Sequence, residues 1–150
     1  MEKEAIRIVV ADGSRARVFV SDHATGDLQE REGFLNPEQR QREQDQVSDR
    51  PGRAFDSSGS GRHAMEPPTS AAEQAIERFA AQLAASLDHD RAAGAFSRLG
   101  LVAGPHMLGV LRKAIGKETA RTLAFSLDKD LVRLDAASLR EKLPKRLFTD

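Results

Sequence analysis

EAIRIVVADGSRARVFVS, residues 4–21, joins an apolar β-branched run to an alternating segment through a three-residue turn. Ile6, Ile8, Val9 and Val10 leave no polar face, the pattern of a strand buried on both sides of a sheet. Asp12-Gly13-Ser14 is turn chemistry. From Arg15 to Ser21, Ala16, Val18 and Val20 alternate with Arg15, Arg17 and Phe19, which predicts a second strand antiparallel to the first. Ala24-Thr25-Gly26-Asp27 turns again. Leu28 to Phe34 then reads as a third, more polar strand of the kind found at a sheet edge.

The downstream half alternates helix and strand. Pro67 and Pro68 disfavour an earlier helix start, and Ser70-Ala71-Ala72-Glu73 has the pattern of a capping box. In that motif Ser70 accepts an orphan N–H and Glu73 reaches back to the Ser70 N–H. Ala72, Ile76, Phe79, Leu83 and Leu87 recur at helical spacing, and Gly94 suits a left-handed stop. Leu99 to Ala103 is a short strand after a helix, the mark of a parallel crossover. Gly104-Pro105 opens a second helix in which Leu108, Leu111 and Ile115 face the core and Gly116 is the expected stop. Arg121 to Leu127 is a fifth strand, with Leu123, Phe125 and Leu127 in alternation. Asp135 caps a last helix with Leu139 and Leu143 inward, ended by Pro144. The order predicts an α/β (α+β) domain over residues 1–150. Its single mixed five-stranded sheet has order 3-2-1-4-5, ribonuclease-H-like topology and helices packed on the sheet. There are no internal repeats.

Composition narrows the function classes. The chain has 150 residues, enough for one domain with a real core. It has no cysteine, so disulfides, thiolate zinc sites and cysteine nucleophiles are excluded. The start, MEKEAIRIVV, carries acids where a signal peptide needs bases, and no apolar stretch reaches the roughly 18 residues of a membrane helix, so a cytoplasmic protein is expected. Net charge is zero but uneven. Residues 1–111 hold 13 Lys/Arg against 17 Asp/Glu, and residues 112–147 hold 10 against 5, so the basic third either meets phosphate or forms solvated helix faces. With no Trp, no Tyr and seven Phe, a base-stacking platform is not evident, which leaves RNA backbone and shape as the features to contact.

Between the third strand and the long helix, residues 36–68 lose all periodicity. A segment of this length inside a compact domain is expected to be functional or disordered, and a flexible loop is predicted here, with a short helical turn around Pro37–Asp45. Its core, VSDRPGRAFDSSGSGRHAMEP at 47–67, carries Arg50, Arg53 and Arg62. From Arg50 to His63 the only acid is Asp56. Gly59-Ser60-Gly61 lacks the flanking strand and helix of a P-loop or Rossmann turn; small residues there let backbone approach phosphate or a crowded RNA surface. Arg50, Arg53, Ser57, Gly59, Gly61, Arg62 and His63 form the candidate RNA- or partner-binding set. His63 is also the candidate general acid or base, its plain alternative being a solvated loop histidine. His106, in the first turn after Gly104-Pro105, is a candidate anion site. Asp12, Asp128 and Asp130 follow the first and fifth strands, as two-metal nuclease carboxylates do. The fourth strand contributes no acid, and the four histidines show no ligand spacing, so neither a metal nor another cofactor is expected.

SDRPGRAFDSSGSGRHAMEP, with the opening VVADGSRARVFV and the later SLDKDL, resembles the bacterial host attachment protein family over nearly the whole chain. That family is similar, more remotely, to the middle domain of archaeo-eukaryotic release factors and Pelota. The resemblance implies a ribosome- or tRNA-associated factor acting in translation rescue or ribosome protection, through a loop that in release factors carries Gly-Gly-Gln. Here the corresponding wording is Gly59-Ser60-Gly61-Arg62-His63, without the glutamine, so peptide release is not carried over and a non-enzymatic or weakly catalytic role is expected. The rival classes are a protein-interaction module that affects attachment indirectly, and a hydrolase or nuclease using His63 or the strand-end aspartates.

Overall fold

The computed structural model of the chain describes residues 3–39 and 70–149. Its elements are β1 (Ile6–Ala11), β2 (Arg15–Ser21), β3 (Gln29–Leu35), α1 (Ala71–Ala92), β4 (Leu99–Ala103), α2 (Pro105–Ala114), α3 (Lys117–Ala120), β5 (Leu123–Asp128) and α4 (Ala136–Lys142). The strands form one mixed sheet in the expected order β3-β2-β1-β4-β5. β1 pairs antiparallel with β2 and parallel with β4, and β5 is parallel to β4. All six residues of β1 are buried, because helices cover both faces of the sheet centre. β3 is exposed along most of its length, as an edge should be.

One face of the sheet packs Val9, Val18 and Leu101 against Phe79, Leu83 and Leu87 of α1 and Leu111 of α2. The other packs Ile8, Phe19 and Val102 against Val132, Leu139, Leu143 and Leu147. Each such side chain taken from water contributes about 1.5–3 kcal/mol, so these two layers dominate the favourable side of folding. The buried stripe of α1 is broader than the periodicity predicts. Ala75, Ala80 and Ala84 are buried, while Ala72 and Ile76 are only partly so, because small residues let the helix lie close to the sheet.

Helix ends follow the sequence with one correction. Ser70 Oγ accepts the Glu73 N–H at 3.2 Å, but both Glu73 oxygens lie against His106 of α2, so the return half of the capping box gives way to a tertiary contact. Gly94 has φ +82°, and Ala95 N–H to Asp90 C=O (2.9 Å) with Gly94 N–H to Arg91 C=O (3.0 Å) completes a Schellman motif. α2 ends at Ala114 with Ile115 as its C-cap, so Gly116 directly follows the stop as expected; with φ −71° it also starts the short α3, a helix the sequence did not announce, and its N–H donates to Asp88.

The fifth strand carries a second correction. Strict alternation would put Leu123, Phe125 and Leu127 on one face. The pairing slips between Leu99 and Gly100, leaving Ala124 as an extra residue, so Leu123 joins the α1 side while Phe125 and Leu127 join the α4 side. The Phe125 ring then lies across Gly100, where an added Cβ would sit 2.5 Å from Cζ.

Two strand arginines, Arg7 of β1 and Arg17 of β2, are structural. Arg7, 5% exposed, donates two 2.8 Å bonds to Glu4 and one of 2.5 Å to Asp90, with Phe96 beneath its guanidinium. Burial works against its charge, yet the bonds to Glu4 and Asp90 outweigh it and hold the pKa above its ordinary value. Arg17 grips Glu30 of β3 and donates to the carbonyls of Val132 and Leu134, tying β2 to the segment that covers the second face.

Candidate functional site

β1, β3, β4 and β5 all finish at the same end of the sheet, since β2 alone runs the other way. In open α/β sheets the carboxyl end of the strands is where loops converge on ligands. At this pole Asp12 follows β1, Asn36 follows β3, Gly104-Pro105-His106 follows β4 and Asp130 follows β5, while Ser70 starts α1 there.

Asp12 serves the turn. Its Oδ1 accepts the N–H groups of Ser14 (2.8 Å) and Arg15 (2.9 Å), the aspartate turn that the sequence allowed. Asn36, 1% exposed, is the main fastening of this pole. Its Nδ2 donates to Gly13 C=O at 3.0 Å and Ala75 C=O at 3.3 Å, its N–H donates to Ser14 C=O, and its Oδ1 accepts the Glu38 N–H. One side chain thus joins the end of β3 to the β1–β2 turn and to α1. Asn-Pro at 36–37 was the available sequence signal, since that dipeptide marks a turn. Residues 37–39 are helical, as far as the expected turn at Pro37–Asp45 lies in the described residues. Glu38 and Arg78 add an exposed two-bond ion pair to α1, whose direct hydrogen bond holds the Glu38 carboxyl below its ordinary range.

The chain therefore departs after Gln39 beside α1 and returns at the N-cap of the same helix. Residues 40–69, which include the candidates Arg50, Arg53, Ser57, Gly59, Gly61, Arg62 and His63, lie outside the described residues.

His106 stands in the first turn of α2, exposed, with Nε2 at 2.8 and 3.0 Å from the two oxygens of Glu73. A carboxylate only accepts, so Nε2 carries the proton in this contact. The negative group beside this helix start is the protein's own Glu73. A hollow of about 220 Å³ lies between Asp12, Ile76, His106, Met107 and Asp130, and a wider groove of about 450 Å³ runs between α1 and α2 past Glu77, Val110 and Lys113. Asp128 is exposed at the end of β5 and does not line the hollow. Among the described residues no group of three or more His, Asp or Glu could hold a metal ion; Asp12 and Asp130 border the same hollow, and Asp128 does not join them there. Leu35, 56% exposed at the mouth of this pole, is the large apolar side chain that the described surface leaves most open. No helix among the described residues is long and apolar enough to cross a membrane.

Comparison with known proteins agrees with this architecture. The crystal structure of the archaeal translation termination factor aRF1 superposes with a TM-score of 0.52 at 10% identity, over 93% of this chain and 35% of that one. At that identity the likeness is one of fold, and the chain spans about a third of the length of the factor. No curated protein sequence matches the chain. A family model described as "protein required for attachment to host cells" matches residues 7–143, which takes in α1 to α4 and every strand except the first residue of β1. The chain belongs to this host attachment family.

Proposed function

We propose that the protein is a cytoplasmic ribosome- or tRNA-associated factor, acting in translation rescue or ribosome protection by binding rather than by peptide release. The observation that carries the reading is the way Asn36 and Ser70 bracket residues 40–69 at the carboxyl pole of a fold shared with a translation termination factor. The bracketed segment holds Arg50, Arg53 and Arg62, whose guanidinium groups suit phosphate, and Gly59 and Gly61, which leave room for close backbone approach. It has no glutamine between Gly59 and His63, so the hydrolytic group of a release loop is missing.

The test is co-sedimentation of the purified chain with ribosomes at low and moderate salt. Binding should weaken with salt. Replacing Arg50, Arg53 and Arg62 together with Ala should lower it and flatten the salt slope by about one unit for each phosphate left unneutralised. Unchanged sedimentation of a normally folded triple variant refutes the reading.

A second reading has its own support. Asp128, Asp130 and Leu35 are exposed at this pole, and carboxylates with an open leucine suit a protein surface better than a phosphate backbone. Salt-tolerant capture of a protein partner that survives nuclease treatment, with no ribosome binding, would favour an interaction module.

A further inference from the structure

The two edges of the sheet are built differently. β3 carries Glu30, Arg31 and Glu32 at its centre, the charges that keep an edge from pairing with another chain. β5 reads Leu-Ala-Phe-Ser-Leu before Asp128 and has no charge in that run, no proline and no described strand beyond it. Its Ala124, Ser126 and Asp128 are exposed, while Phe125 and Leu127 are only partly covered on the opposite face. The bulge at Ala124 lies near the start, so Phe125 to Asp128 keep a regular register with Gly100 to Ala103.

We propose that the β5 edge pairs with the same edge of a second copy of this chain, antiparallel and about a two-fold axis near Ser126. Three features of the strand are self-complementary in that arrangement. A two-fold axis perpendicular to the sheet keeps each face on its own side, so Phe125 of one copy lies opposite Leu127 of the other on the face of α4, and the reverse, extending a half-covered apolar strip. Ser126 meets its own counterpart, and it is small and neutral. Beyond the ends of the strand, Arg121 precedes it and Asp130 follows it, so the antiparallel arrangement brings a basic and an acidic residue toward each other at both ends. Arg121 can take part, because its present contact, with Glu118, is an exposed pair of little worth. The outward N–H and C=O groups of each edge supply the ladder. A pairing of four or five residues buries less than the roughly 1,200 Å² of a tight complex, so a concentration-dependent equilibrium is expected. The occupant is a second copy because the strand itself holds the required apolar pair, neutral centre and opposite end charges.

Sedimentation equilibrium of the full chain tests this from about 1 μM to about 1 mM. The mass should rise from 16.4 kDa toward twice that value. Ser126→Lys puts like charges on the axis at an exposed site and should raise the dissociation constant about tenfold with an unchanged thermal midpoint. Arg121→Glu should weaken pairing, and adding Asp130→Lys should restore it. A parent that stays monomeric at the highest concentration overturns the proposal. So does a dimer that Ser126→Lys leaves intact, which would place the contact elsewhere.

Discussion

Replacing Arg7 with Met tests whether a buried ion cluster holds the start of the sheet to the end of α1. The Arg7 side chain is 6% exposed and that of Glu4 8%, so removing the guanidinium leaves a carboxylate almost without water. The other cation near Glu4, Arg31, is 3.7 Å away and half exposed, too distant for a hydrogen bond. Asp90 is 30% exposed and recovers hydration more readily. Breaking a buried pair from one side costs about 3–5 kcal/mol, far more than the pair adds over an apolar replacement of both partners. At about 2–4 °C per kcal/mol for a chain of this size, the midpoint should fall by about 6–20 °C. The double variant Arg7→Met with Glu4→Leu removes the stranded charge and should regain most of that loss. Thermal and urea melts of the parent, both single variants and the double complete the cycle. A loss under about 1 kcal/mol in Arg7→Met, or a double variant no better than it, would refute the reasoning.

Two further outcomes follow from contacts elsewhere in the sheet. Gly100→Ala drives a methyl into the Phe125 ring at 2.5 Å from Cζ and 2.7 Å from Cε2. It should destabilise by about 1–3 kcal/mol despite the better strand propensity of Ala, with partial rescue by Phe125→Leu; an equally stable Gly100→Ala in urea melts would show that the ring yields freely. The Arg17 hydrogen bonds, opposed by burial and aided by the Arg17 charge, hold the Glu30 carboxyl below its ordinary value of 4.5. A depressed carboxylate stabilises the fold above its unfolded pKa and loses that contribution as pH falls through its folded pKa, so Glu30→Gln should shallow the decline in melting temperature from about pH 5 to about pH 2. Parallel acid limbs for parent and variant would exclude the pair as a source of that decline.

Much of the candidate pole was legible residue by residue. Asp12 as a turn former, Gly104-Pro105 as a helix start and Asp135 as a cap each act through atoms within a few positions, and each is present in the fold. Asn36, Glu73 and His106 were not legible as partners. Asn36 lies 39 residues from the α1 carbonyl it reaches, and His106 lies 33 residues from Glu73; nothing in local spacing names such a partner. The face switch at Ala124 was hidden for a related reason: alternation in β5 is read along one strand, but the slip arises in its pairing with β4.

The sequence by itself determined the strand order, the positions of α1, α2 and α4, and the edge character of β3; the short α3 it did not announce. Hydrophobic period, proline, glycine and cap residues act over one or two turns of chain, and the short connections leave few topologies open. Only the tertiary structure decided that Arg7 is a buried counterion, that Asn36 fastens three elements and that Asp12 and Asp130 border one hollow without Asp128. The physical reason is that charge pairing and burial depend on distance in space. Arg7 and Asp90 are 83 positions apart in the chain and 2.5 Å apart in the fold.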